Sequence, residues 1–274
     1  MFKIIIMALL IFIGMVGYDN ITDKAQPTTP VQQEQQKISK HEKSAAMALF
    51  VSLLPPKEEW PSPVHKFYLA FNMDEVIDPI RQNPNWTSLD AMSRDIPQAL
   101  IAIEDHAFYN HGAIAVEGIL RATLANINAG EVVQGGSTLT QQFVKNVFLS
   151  HEQSMERKIE EAVLSLMLED NYSKDEILEL YLNTTYFGAG STGIKQASRT
   201  YFGKAPSALT LAEAAVIASL PYAPTGLNPL ENPDGCKKRQ LLVLAAMHKY
   251  GMINQGQLAE AKAEKIRLTN GTVM

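Results

Sequence analysis

Cysteine is nearly missing: Cys236 is the only one. The chain can therefore form no internal disulfide, and without a Cys-x-x-Cys pair or a Cys/His cluster it offers no structural zinc site. A lone cysteine of this kind reads as a packed residue rather than a nucleophile. Positive charge is not in excess, because 24 Lys and Arg stand against 29 Asp and Glu for a net charge of −5. This excludes a general nucleic-acid binder, which needs a basic face to release counterions, so any basic site must be local. No apolar run reaches the ~20 residues of a full membrane span. Alternating strand patterns are scarce and no internal repeat is evident. Neither a phosphate loop ending in Gly-Lys-Ser/Thr nor a Ser-x-x-Lys motif with a later Lys-Thr-Gly is present. What the chain does have is 274 residues, 46% of them hydrophobic, enough to build a substantial core in one large domain or one domain with appendages.

The two ends of this chain read differently. Lys3 precedes an apolar run from Ile4 to Val16, which has the length of a signal-peptide core. No Ala-x-Ala cleavage site follows and no cysteine stands where a lipoprotein needs one. Residues 1–18 are read as an uncleaved signal anchor in preference to a cleaved signal, and either exports the rest of the chain. Residues 19–44, rich in Gln, Lys, Thr and Pro, cannot bury enough surface to offset their ordering entropy and read as a disordered linker. Residues 45–85 are an ambiguous lead-in. Ala45 to Leu54 could be a short helix ended by Pro55 and Pro56, and His65 to Phe71 could be a strand. From residue 86 the punctuation is helical. Thr138-Leu139-Thr140-Gln141, Ser173-Lys174-Asp175-Glu176 and Thr210-Leu211-Ala212-Glu213 all fit a capping box before an apolar run. Pro221 closes the run Ala214 to Leu220, and Gly251 follows a helical pattern that starts near Asp234. The expected fold class is mainly α.

Three stretches carry polar groups of chemical interest. Glu104 and Asp105 follow Ala99-Leu100-Ile101-Ala102-Ile103 on a short helix with Pro97 in its first turn. A carboxylate there meets an unfavourable helix dipole and apolar neighbours, which raise its pKa towards the range of a general acid or base. The same residues also fit a helix that simply ends in solvent. Glu161 lies in RKIEEAVLSLML, a segment apolar almost all round after that residue, so a buried central helix is expected. Arg157 and Glu161 can be an ordinary intrahelical ion pair worth ~0.3–0.5 kcal/mol, or, with Lys158, part of an anion site. Gly135-Gly136-Ser137-Thr138 opens a helix LTQQFVKN. A Gly-rich approach to a helix N-terminus presents free N–H groups to an anion, or it is only a well-capped surface helix. Gln141 and Lys145 share one face of it, Gln142 and Asn146 a neighbouring one.

In this order and spacing the blocks resemble the peptidoglycan glycosyltransferases, the transglycosylase domain of class A penicillin-binding proteins and their monofunctional relatives. EDHAFYNH (104–111), GGSTLTQQFVKN (135–146) and RKIEE (157–161) carry the likeness, followed by KDEILELYLNTTYFGAGSTGIKQASRTYFGK (174–204). LTLAEAAVIASLPYAPTGLNP (209–229) and RQLLVLAAM (239–247) complete it. The resemblance covers residues 86–268, leaving 269–274 as a tail. It implies a lysozyme-like head with a smaller membrane-facing jaw, and lipid II and the lipid-linked growing chain as substrates. Glu104 is then the base that deprotonates the acceptor sugar's 4-hydroxyl, and Glu161 assists near the departing undecaprenyl pyrophosphate, directly or through a divalent cation (Mg or Mn). Ser137, Thr138, Gln141, Gln142, Lys145, Asn146, Arg157 and Lys158 are the implied substrate-binding residues. No other cofactor is implied. The enzyme would sit at the plasma membrane with its catalytic domain outside, beside other cell-wall synthesis proteins.

The chain departs from the family at three points: Ala113 and Ala115 stand where the family has Gly and Asp, and Gln153 where it has an Arg. These departures are the only support for an alternative, an inactive membrane-tethered lipid II binder. A lysozyme-like lytic enzyme would also use a buried glutamate but needs no pyrophosphate site, so GGSTLTQQFVKN and the Arg157–Lys158 pair count against it.

Overall fold

A computed structural model describes residues 72–115, 136–149 and 154–274, together with Tyr68, Leu69 and Gly118. The anchor, the linker, Gly135 and Gln153 lie outside the described residues. Nine α-helices occur among them: α1 (Asp74–Arg81), α2 (Asp95–Glu104), α3 (Leu139–Phe148), α4 (Met155–Asn171) and α5 (Lys174–Thr184) come first. They are followed by α6 (Ile194–Phe202), α7 (Leu211–Ser219), α8 (Pro233–Lys249) and α9 (Gln255–Ala263). No strand forms among the described residues, only two isolated bridges, Tyr186 with Thr192 and Arg267 with Val273. None of the described helices is long and apolar enough to cross a membrane. All nine belong to the unit Asn72–Met274.

All three predicted capping boxes are formed. Thr138, Ser173 and Thr210 each accept from the backbone N–H three residues on, and Gln141, Glu176 and Glu213 answer to the cap backbone. They start α3, α5 and α7. The centre of the fold is α7, whose residues Ala212 to Ser219 are all buried. Its small side chains let α2 and α8 approach closely, and these three helices pack on one another. Glu213 is the one carboxylate of this core helix. It is satisfied by Thr210 N at 3.0 Å and Lys204 Nζ at 2.6 Å, so it serves the cap. On the other side α3 packs against both α4 and α5, while α6 touches α5 and α7. The turn between α5 and α6 depends on glycine at two points. Gly188 (φ +87°) and Gly193 (φ +84°) would place a Cβ 2.3 Å from Pro224 O and 2.7 Å from Asn183 O.

Two expectations need correction. Leu69 and Tyr68 lie in a helical turn, not a strand, since a short apolar run has no period that separates the two states. The segment Arg157–Leu168 is helical, but α4 is not the central buried helix. It buries Glu161, Leu164, Ser165, Met167 and Leu168, while Ile159 is 62% and Leu166 37% exposed. An edge helix with apolar residues on its outer side reads in sequence like a buried one. Residues 74–86 are bound to α5 and the end of α4. Arg81 Nη2 reaches Glu176 at 3.0 Å, Trp86 Nε1 donates to Glu179 at 3.0 Å, and Tyr172 bonds Asp74.

Candidate active site

The sequence ends α2 with two adjacent carboxylates, and the fold sends them to different partners. Asp105 is the C-cap residue of α2. Its Oδ2 accepts from Leu139 N, the first residue of α3, at 3.0 Å, and its Oδ1 lies 2.6 Å from His111 Nε2. His111 Nδ1 lies 2.6 Å from Gly112 O. Both ring nitrogens thus face groups that only accept, which needs the doubly protonated imidazolium. The hydrogen bond to Asp105 accordingly holds the His111 pKa above its ordinary value. This pair locks the loop after α2 to the start of α3.

Glu104 faces the other way. Burial pushes its carboxyl pKa up. Three groups act against burial: the hydrogen bond from Gln142 Nε2 to Glu104 Oε2 at 3.0 Å, and the charges of Arg239 and Lys145. The neighbouring Asp105 charge adds to the rise, and the net result is a carboxyl pKa above its ordinary value. Gln142 Oε1 in turn accepts from the Tyr181 hydroxyl at 3.0 Å. Arg239, from α8, lies over the ring of Tyr222, 4.1 Å from its centroid, and its Nε is buried without a hydrogen-bond partner.

A second cluster forms on α4. The Glu161 side chain is 2% exposed, with the Lys158 ammonium bonded to Oε1 and Arg157 Nη1 3.7 Å from Oε2. Lys158 Nζ also donates to Ser137 Oγ at 3.1 Å. Arg157 Nε is buried without a partner, and an unpaired buried donor is costly unless a ligand takes it. The two clusters meet the same segment: Ser137, just ahead of α3, touches Lys158, and Gln142 within α3 touches Glu104.

Of the residues singled out from the sequence, Glu104, Gln142 and Lys145 come together, as do Glu161, Arg157, Lys158 and Ser137. Lys145 and Asn146 are exposed. Thr138 and Gln141 are 1% and 3% exposed and are used by the fold. Thr138 Oγ1 donates to Ala113 O at 2.7 Å and caps Gln141 N, while Gln141 Oε1 accepts from Thr138 N. They shape the site and present it with nothing from these atoms. The anion-binding helix start is also partly taken by the protein itself, because Asp105 occupies Leu139 N–H. At Glu161, Lys158 and Arg157 engage the carboxylate, and no group of three metal-binding side chains occurs among the described residues.

Sequence reasoning gave no role to Arg239, Tyr181 or the Asp105–His111 pair. Tyr181 had a cue: a phenol inside the apolar run of α5 must find a partner for its hydroxyl. Arg239 had a weaker one, the last of three successive cations before an apolar run.

The transglycosylase family model matches residues 73–248. A protein of Cupriavidus necator that carries the word transglycosylase in its name is 41% identical over 194 residues, which cover 71% of this chain and 84% of that protein. Penicillin-binding protein 1A of Neisseria flavescens is 44% identical over 185 residues, 68% of this chain but 23% of its own length. Among solved structures, Penicillin-Binding Protein 1A from Haemophilus influenzae is 33% identical, covering 48% of this chain and 16% of its own, with a TM-score of 0.34.

Proposed function

Because the chain belongs to the transglycosylase family, the glycosyltransferase domain of class A penicillin-binding proteins, we propose that it polymerises peptidoglycan glycan strands from lipid II at the outer face of the bacterial plasma membrane. The observation that carries this reading is Glu104, an enclosed carboxyl with a raised pKa, held by one amide and faced by two cations. A general base works best when its pKa lies near the working pH. Glu104 takes the proton of the acceptor's 4-hydroxyl as that oxygen forms a bond to the donor's anomeric carbon. The bond from that carbon to the pyrophosphate oxygen breaks with its electron pair, the configuration inverts, and undecaprenyl pyrophosphate leaves. Negative charge gathers on the leaving group, where Arg157 and Lys158 stabilise it by charge-assisted hydrogen bonds. Glu161 holds these two cations in place and keeps them from binding the product too tightly.

A product assay tests the proposal. The purified chain incubated with lipid II is expected to yield polymer and release undecaprenyl pyrophosphate. Soluble fragments released from finished wall would instead assign a lytic enzyme. Saturable lipid II binding without any polymer would assign an inactive binder.

A further inference from the structure

Tyr181 lies in α5 with 1% of its surface exposed, so it touches no substrate. Its hydroxyl donates to Gln142 Oε1 at 3.0 Å, and Gln142 Nε2 donates onward to Glu104 Oε2 at 3.0 Å. A glutamine amide presents its oxygen and its NH2 group on nearly the same outline, and only its partners decide which faces which. Turned over, the amide would set its oxygen against the carboxylate, an arrangement that is tolerable only when Glu104 is protonated. The ionised carboxylate opposes this flip, and the phenol adds to the opposition because its O–H would lose the amide oxygen as acceptor. Burial, with the charge of Glu104 second, pushes the Tyr181 pKa far up, so the group stays a donor across the working range.

We propose that Tyr181 is a positioning residue for Glu104, acting through Gln142: its hydroxyl holds the amide with NH2 towards the carboxylate, so that the base stands ionised and aimed before each turnover. The inference rests on the reading of Glu104 as the base. It predicts that the phenol hydroxyl sets the acid limb of the reaction even though an amide separates it from the carboxylate.

Two measurements on the full chain test it. One is the carbon-13 titration of the Glu104 carboxyl without substrate, assigned by its loss in Glu104→Gln. The other is the pH profile of kcat/KM on lipid II. Tyr181→Phe keeps the ring and is expected to raise the Glu104 midpoint and the acid limb by up to about one pH unit, the worth of the Gln142–Glu104 hydrogen bond to a charged group that the phenol helps to hold. The rate should fall at neutral pH and recover at alkaline pH. Gln142→Leu, at a less enclosed position, should shift the midpoint at least as far, and the double variant should match Gln142→Leu alone. A purely structural role would lower the rate at every pH and leave the midpoint in place. An unmoved midpoint in folded Tyr181→Phe overturns the proposal, as does an additional shift in the double variant. Should Tyr181→Phe not fold, an unmoved midpoint in Gln142→Leu overturns it equally. A carboxyl midpoint that moves as stated while the rate profile does not follow would leave the relay standing and sink the role of Glu104 as base.

Discussion

At the end of α2 a single step along the chain separates a carboxylate that the fold satisfies from one that it leaves with a single donor. Asp105 is satisfied by the Leu139 N–H and by His111, while Glu104 has one amide donor and is otherwise enclosed. The difference has a consequence for pH. In the folded state the hydrogen bond to Asp105 raises the His111 pKa above its ordinary value of 6.5. The pair therefore contributes stability that is fully present below the unfolded value and is lost as pH rises through the higher folded value. Asp105→Asn removes the charge that favours the imidazolium. The variant should be less stable than wild type at about pH 6, and the gap should narrow at about pH 8.5. Denaturant midpoints at the two pH values check this, and a gap that widens with pH would contradict it.

The capping boxes of α3 and α5 share one pattern but sit at different depths. Ser173 and Glu176 lie at the surface, so Ser173→Ala should cost about 1 kcal/mol, the usual value of an N-cap. Thr138 is buried and also donates to Ala113 O. Thr138→Ala loses the cap and leaves a buried carbonyl unpaired, which adds about 1–3 kcal/mol. Thermal melts should rank Thr138→Ala as clearly the worse of the two, and the reverse order would mean that the Ala113 contact contributes nothing. These boxes were legible in the sequence because a cap is a local pattern of four residues followed by an apolar run. The surroundings of α4 were not legible. Ile159 and Leu166 look like core residues until the neighbours of that helix are known.

The site as a whole is drawn from α2, α3, α4, α5 and α8, which are spread over residues 95–249. Glu104, Gln142 and Lys145 stood out as polar residues in otherwise apolar or helical stretches. Which of the glutamines in α3 would face Glu104 was not readable, because it depends on how α3 packs against α5. Gln141 proved to be buried in the cap, and Gln142 took the contact. Arg239 escaped notice for the same reason, since only the packing of α8 on α2 brings its charge to Glu104.

On the proposed reading, this assembly serves to make Glu104 a base. Its raised pKa means that ionised Glu104 costs the folded state stability, a cost absent below the ordinary value of 4.5 and growing as pH rises through the folded value. Replacing it by a neutral amide of the same shape removes the base and that cost together. The decisive measurement is the initial rate of lipid II polymerisation by Glu104→Gln at neutral pH, taken alongside its thermal melt. The expected rate is lower by at least about a hundredfold, with a melting temperature equal to or above that of wild type. A rate within a few-fold of wild type in the folded variant would contradict that reading.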